Sequence, residues 1–525
     1  MAETVESKGP QQTSRARKNA ALVALVLVTL GVAGSVALWA SRRRASPAMC
    51  PGTPALLASL HAPIVVDAYV TRGTPELDAF VDTLQALLAE YKAQGNGRFD
   101  YHVVVTNDDG SRAQAKARGL TQAPLSPARD GAAALGYMGL AFKYGAAGDV
   151  IPLLTITAPR AVGFWIDNKV RELRAKVDGS AYRIGVLTGH GEIPLDEANL
   201  VPPDAHTKPA PSIKGILAQN FPFYSFRDVD LRGGSVPIDP ELDGLIVTQP
   251  SSDLTDAELA RVDELVLHGT PVAFFVSAAN VRLGDSSMHA TLSAHGLERL
   301  LAGYGIEVGR DLVVELEPKL TPSGVVDTLK GLAHYNLPFV PLVREEDHRL
   351  DSAFPVFLRM TEVAFPLASS LTLHPDKQPG AKLREIARTS PRSVRVTGDD
   401  IDLHPLGPWT PSGAEGAVVV AAAAQGTLRG AFDPSHTGRG RVLVVASSQF
   451  LANPLARAAY EPPATPVHMP IAAQEALKRP ATSYAQNHLT VTILAVKNTL
   501  DWLSSGDDAA SCGDLLLAEK PPAAR

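Results

Sequence analysis

Hydrophobic residues along this chain keep to two periods, and the points where one gives way to the other outline its elements. Ile64 to Val70 (IVVDAYV) is apolar almost throughout and β-branched, the pattern of a buried strand. Behind Pro75, Leu77, Phe80, Val81, Leu84, Leu87, Leu88 and Tyr91 recur at helical spacing, and the Gly95, Asn96, Gly97 turn closes that helix. Phe99 to Thr106 reads as the next strand. A short helix around Arg112 to Arg118, a Pro/Ala loop and a hairpin over Tyr137 to Phe142 and Val150 to Ile156 come after it. The order β-α-β-α-β-β predicts a thioredoxin-like unit over residues 63–160.

A helix over Val162 to Lys176 opens a second region, in which strand and helix patterns alternate. Tyr182 to Leu187, Gly244 to Thr248 (GLIVT) and Pro271 to Val276 (PVAFFV) read as strands. Thr255 to His268 reads as a helix capped by Thr255, with Glu258 three residues on. Leu292 to Tyr304 adds a helix, and Asp311 to Glu315 a strand. Alternation of this kind predicts a mostly parallel α/β sheet covered on both faces, Rossmann-like or amidotransferase-like. That domain spans 161–316, is interrupted by an irregular or β-rich insertion at 317–410, and is completed by 411–505. The completing segment holds Ala417 to Ala423, the strand Arg441 to Ala446 (RVLVVA) and a closing helix from His488 to Leu503. On that helix Ile493, Val496, Leu500 and Leu503 form one apolar stripe, and Trp502 is expected to be buried. Residues 506–525 read as a loose tail.

One run fits neither period. Ala20 to Ala40 (AALVALVLVTLGVAGSVALWA) has no charge in 21 residues, enough helix to cross a hydrocarbon core of about 30 Å. We read it as a transmembrane helix, with a cytoplasmic tail at 1–19 and a Pro-rich tether at 41–62. Lys8, Arg15, Arg17 and Lys18 precede it and Arg42, Arg43 and Arg44 come after it, so charge alone does not orient it. A cleaved signal peptide fits less well, because its apolar core is usually about 7 to 15 residues and a small-residue cleavage site should come next. A lipoprotein reading through Cys50 has Met49 where a small residue is wanted.

The rest of the chain is ordinary in composition, the whole being 45% hydrophobic and 20% charged over 525 residues, with a net charge of -6. No basic excess marks a nucleic-acid surface. Two cysteines, Cys50 and Cys512, exclude a zinc ribbon, a CxxC centre and a disulfide framework. They either pair in an oxidising compartment or stay free. The thioredoxin-like unit has Thr71, Arg72, Gly73 and Thr74 where a redox member carries thiols, so redox work is excluded there.

Chemistry concentrates in Leu187 to Glu192 (LTGHGE), a glycine-flanked histidine and a carboxylate at the end of a strand. His190 and Glu192 would serve as an acid/base or cation-binding pair. Alternatively, Gly189 and Gly191 simply permit a tight turn whose polar side chains satisfy nearby backbone. We favour the turn, and expect Gly191→Ala to cost stability while an exposed His190 contributes little. No G-x-S-x-G elbow, no phosphate-binding loop and no G-x-G-x-x-G helix start occurs. His289, His295, His334 and His348 stand singly, and no cofactor or metal is expected.

Together, LTGHGE, the segment DGLIVTQPSSDLTDAELARVDELVLHGTPVAFFV, GRVLVVASSQFLAN and NTLDWL resemble the auxiliary component of ABC transporters associated with gliding motility. Gln249, Pro250, Leu254, Glu258, Leu259 and Gly269 carry the second motif, and Gln449, Phe450, Asn498, Trp502 and Leu503 the later ones. Gly269-Thr270 replaces the family's paired glycine, and Ala446-Ser447-Ser448 replaces its Gly-Asp-Ser. The resemblance implies a membrane-anchored protein with an extracytoplasmic body; with the one span read at 20–40, the expectation is a single-pass protein of the bacterial inner membrane with its body in the periplasm. It also implies an ABC permease and ATPase on separate chains, and no demonstrated catalytic residue. A non-catalytic accessory subunit, with homo-oligomerisation left open, is therefore one expectation, and an anchored envelope hydrolase using His190 and Glu192 is the other.

Overall fold

The computed structural model describes residues 49, 52–125, 135–154, 161–197, 199–200, 212–281, 288–328, 331–352, 354–358, 360–403, 413–455 and 471–504. The apolar run at 20–40, both cysteines and the tail at 506–525 lie outside them. Among the described residues no helix is long and apolar enough to cross a membrane. The architecture is mixed α/β.

The first unit is built on β1 (Ile64–Val70), which runs parallel to β2 (Phe99–Val105) and antiparallel to a later strand. A short helix, α1 (Thr53–Ala58), precedes β1, and α2 (Pro75–Gln94) joins β1 to β2. Thr74 caps α2 by accepting from the Leu77 N–H, and Pro75 sits where no N–H is needed. After α3 (Asp109–Ala117) come β3 (Gln122–Pro124), β4 (Leu135–Tyr144) and β5 (Ala147–Ile151), in the sheet order β2-β1-β4-β3 with β5 also on β4. Alternate residues Ile64, Val66, Ala68 and Val70 face one core, filled by the seven apolar residues of the α2 stripe.

Helix α4 (Ala161–Asp178), grouped by its sequence position with the second region, packs instead on the first. Its Val162, Ile166, Val170 and Leu173 belong to the first core, beside Tyr91 and Leu57. An amphipathic stripe shows that a helix docks but not on which sheet.

The second region centres on β6 (Tyr182–Thr188), β7 (Tyr224–Asp230), β8 (Gly244–Thr248) and β9 (Val272–Phe275), with α5 (Ile213–Asn220) and α6 (Asp256–Leu267) as crossovers. Helix α7 (Leu297–Gly303), β10 (Ile306–Val308), β11 (Leu371–Leu373), β12 (Ala381–Arg388), β13 (Val419–Arg429), β14 (Thr437–Val445) and α8 (Ile471–Ser504) complete it. The sheet runs β10-β11-β13-β14-β9-β8-β6-β7, with β12 also on β13. Strands β7, β6, β8, β9 and β14 are parallel throughout.

The other half is antiparallel, which departs from the mostly parallel sheet expected. Strand β13 turns into β14 over residues 430–436, closed by Gly430 N–H donating to the His436 carbonyl at 2.8 Å. So short a return cannot make a parallel crossover. Segments read as insertion supply β11 and β12. The strand Leu312–Glu315 leaves the main sheet altogether and pairs with Ser393–Val396. There the buried Glu315 carboxylate accepts from the Ser390 and Ser393 hydroxyls at 2.7 and 2.9 Å.

Helices cover both faces. Leu245, Val247 and Phe274 meet Leu259, Val262 and Val266 of α6 on one side, while Ile246, Ala273 and Phe275 share the other with Val496, Leu500 and Trp502 of α8. Trp502 is fully buried, as its stripe predicts. The helix starts well before His488, because Pro480 reads as a stop yet lies inside it, with Ala481 and Tyr484 held in a further core beside Tyr335 and Leu337.

Candidate functional site at the carboxyl edge of the parallel strands

Numbered along the chain, the parallel strands stand in the order second, first, third, fourth, fifth, so the winding reverses between β6 and β8. A reversal of this kind opens a crevice at the carboxyl ends of the strands, where open α/β sheets take ligands. The LTGHGE turn leaves β6 at that point.

Gly189 and Gly191 adopt φ of +114° and +67°, which Cβ-bearing residues avoid. A Cβ on Gly191 would also stand 2.1 Å from the Ser251 hydroxyl oxygen, which would have to rotate off the His190 carbonyl to make room. The turn is sewn to the loop after β8. Ser251 and Ser252 N–H groups donate to the His190 carbonyl at 2.9 and 3.1 Å, Ile193 N–H donates to the Gln249 carbonyl at 3.1 Å, and the Thr248 hydroxyl donates to the Ile193 carbonyl at 2.8 Å.

His190 sits between two carboxylates. Nδ1 lies 3.3 Å from Glu192 Oε1 and Nε2 lies 3.1 Å from Glu258 Oε2, while the His190 N–H donates to Glu192 Oε2 at 2.8 Å. The imidazole is 11% exposed, in contrast to the exposed ring expected from sequence. The structure thus brings all four candidate residues together and adds Glu258, legible in the sequence only as a capping residue. It does cap α6, accepting from the Thr255 N–H and hydroxyl, and its other oxygen accepts from the Gly233 N–H at 2.9 Å. Burial pushes the Glu258 carboxyl up, but these hydrogen bonds and the neighbouring His190 outweigh it and hold the group below the usual carboxylate range.

Each ring nitrogen is thus taken up by a carboxylate oxygen. Among the described residues no group of three or more His, Cys, Asp or Glu side chains is disposed to hold a metal ion.

Further along the same edge, buried residues 366–369 plug the space beyond β9 and β14. Beyond β9, the Ser277 N–H donates to Gln249 Oε1 and its hydroxyl to the Leu367 carbonyl, at 2.8 and 2.7 Å. Beyond β14, the Ser447 hydroxyl donates to the Pro366 carbonyl and the Ser448 hydroxyl to that of Ala279. Nothing in the irregular pattern of 317–410 signals this plug. The single histidines stay apart, His289 beside Asp400, His295 beside Asp253, and His348 on a cleft of about 350 Å³ lined also by Glu345, Arg349 and Arg388.

The profile of a family described as an ABC-type uncharacterized transport system, its auxiliary component, matches residues 181–469, more than half of the chain. The chain belongs to this family. In this ABC transporter auxiliary protein, residues 49–143 match a separate domain of unknown function. No curated protein matches. Among solved structures, the "mmIFT52 N-terminal domain" is similar at 12% identity and a TM-score of 0.34, over 62% of this chain and 98% of that one. The exo-beta-1,4-mannosidase Op5Man5 from Opitutaceae bacterium strain TAV5 is similar at 11% identity and a TM-score of 0.19, over 72% of this chain and 47% of that one. Scores this low carry no inference about either protein's properties.

Proposed function

We propose that the protein is a non-catalytic accessory subunit of an ABC transporter, anchored by residues 20–40 in a bacterial inner membrane with its body in the periplasm. Membership of the auxiliary family supports the association with a transporter. The permease and ATPase are then separate chains. The observation that carries the non-catalytic part is the stoppered carboxyl edge, where loops after β6 and β8 are hydrogen-bonded together and residues 366–369 fill the space beyond β9 and β14. A thioredoxin-like first unit without thiols fits a binding role beside it. Any link to gliding rests on the sequence resemblance alone. The hydrolase reading loses ground, because Glu192 and Glu258 occupy both nitrogens of His190.

Purification of the full chain in mild detergent tests this reading. We expect an ABC permease and ATPase to co-purify, and to do so equally with a His190→Ala, Glu192→Ala double variant. Repeated recovery without either component would overturn it.

A further inference from the structure

Helices α4 and α8 each show two different faces. From α4, Val162, Ile166, Val170 and Leu173 fill the first core, while Asn168 and Arg171 point the other way. From α8, Val496, Leu500, Trp502 and Leu503 lie under the parallel sheet, while Lys497 and Asp501, one turn apart, reach toward α4. Lys497 is fully buried. Its Nζ donates to Asn168 Oδ1 at 2.8 Å and to Asp501, and it lies 5.3 Å from the centre of the Phe221 ring. Arg171 Nη1 donates to Asp501 Oδ1 at 3.1 Å, and the Tyr224 hydroxyl donates to the same oxygen. Behind them Asp167 stays within the first unit, accepting from Thr53 and Tyr91 at 2.7 Å each.

The contact between the two units is therefore charged where each unit's own core is apolar. Among the described hydrophobic side chains of α4, Ala175 alone packs against the core beneath the parallel sheet. The seam is also incompletely satisfied, since Asn168 Nδ2 and Arg171 Nε find no hydrogen-bond partner among the described residues. Parting an apolar interface forfeits its burial, whereas parting charges returns to each the hydration it gave up, so such a seam opens at low net cost. The covalent link is short: Gly179, at φ +66° and with no atom within 4 Å of the place a Cβ would take, joins α4 to β6 through Ser180, whose hydroxyl accepts from Arg174 Nε at 3.0 Å, and Ala181.

We propose that the first unit is a hinged arm, caught against α8 by Lys497, Asp501 and Arg171 and released by swinging about Gly179 to Ala181. This goes beyond the accessory reading and does not depend on it. Polar contacts between domains commonly permit such motion, and here the charges fix the docked register while leaving it reversible.

The test uses the full chain with Cys50 and Cys512 replaced by serine and spin labels on Glu90→Cys of α2 and Ala260→Cys of α6, both exposed positions. Pulsed dipolar distances should show mainly one short separation in the parent. Asp501→Asn should raise a longer population several-fold while both units keep their unfolding transitions. An Arg171→Met, Lys497→Met, Asp501→Leu triple variant, which exchanges all three charges of the seam for apolar side chains, should keep only the short distance. Unchanged distances in Asp501→Asn, or a longer population in a folded triple variant, would overturn the joint.

Discussion

Two clusters of buried polar groups, the LTGHGE turn and the seam between α4 and α8, use similar side chains to opposite ends. In the turn, His190 and Glu192 come from the loop after β6 and Glu258 from the first turn of α6, all at one edge of one sheet, and backbone N–H groups share in holding both carboxylates. At the seam, charges come from two separately cored units and meet chiefly one another. Main-chain anchoring makes the first a lock. Side-chain anchoring makes the second a catch, and the difference shows that burial of charge alone does not reveal what a cluster is for.

The largest break in this comparison comes from removing the platform on which the catch stands. Trp502→Ala should cost about 3 to 5 kcal/mol in urea unfolding, because a fully buried indole leaves a cavity beside Phe354 and the Arg441 guanidinium. A variant as stable as the parent would show that α8 does not dock through this residue.

A pH series sharpens the contrast next. Burial pushes the Lys497 ammonium down to about 8, outweighing the opposing pull of Asp501. Between about pH 8 and the ordinary lysine value the unfolded chain then binds more protons than the native one, so stability rises with pH across that window. Below it the full penalty persists. Lys497→Met should remove a rise of about 3 kcal/mol relative to the parent, read as converging urea midpoints at high pH. Parallel pH profiles would mean that the ammonium is not desolvated.

The turn should respond to backbone geometry. Gly191→Ala should cost about 2 kcal/mol, since both the positive φ and the Ser251 hydroxyl oppose a Cβ, and Ser251→Gly should restore part of it. His190→Ala, which removes the imidazole from between two buried carboxylates and leaves them their backbone donors, should cost about 1 to 2 kcal/mol in thermal melts. Smallest is Thr255→Ala, which removes one side of the α6 cap and should cost about 1 kcal/mol. A Thr255 effect larger than that of Gly191 would shift the lock from the turn to the helix start.

Period and capping made much of the fold legible. Ile64 to Val70, the α2 stripe and Trp502 all fall where their spacing places them, because each is decided by residues close in sequence. The antiparallel half was not legible, since short strands such as Leu371–Leu373 carry too few residues to declare a partner. The same holds for the candidate site. Gly189 to Glu192 could be singled out from a turn signal, but Glu258 arrives from 68 residues away and looks in sequence like an ordinary cap. Lys497 and Asp501 stand four apart, the usual spacing of an exposed helix pair, and nothing local reveals Arg171 and Asn168 across from them.

The place of β14 has a consequence for how the chain acquires its shape. Among the described strands this one is the last to be made, yet it lies in the middle of the sheet, hydrogen-bonded to β9 on one side and β13 on the other. A chain emerging from its amino end can fold the first unit as soon as α4 has appeared. Strands β6 to β9 must instead wait, with the flank of β9 unpaired, until residues 437–445 slide in beside it. Long-range pairing of this sort is slow and leaves a sticky edge in the meantime. Nascent chains halted before Thr437 should therefore show a protease-resistant first unit followed by an unstructured remainder, and the second region should become resistant only once β14 and α8 are free.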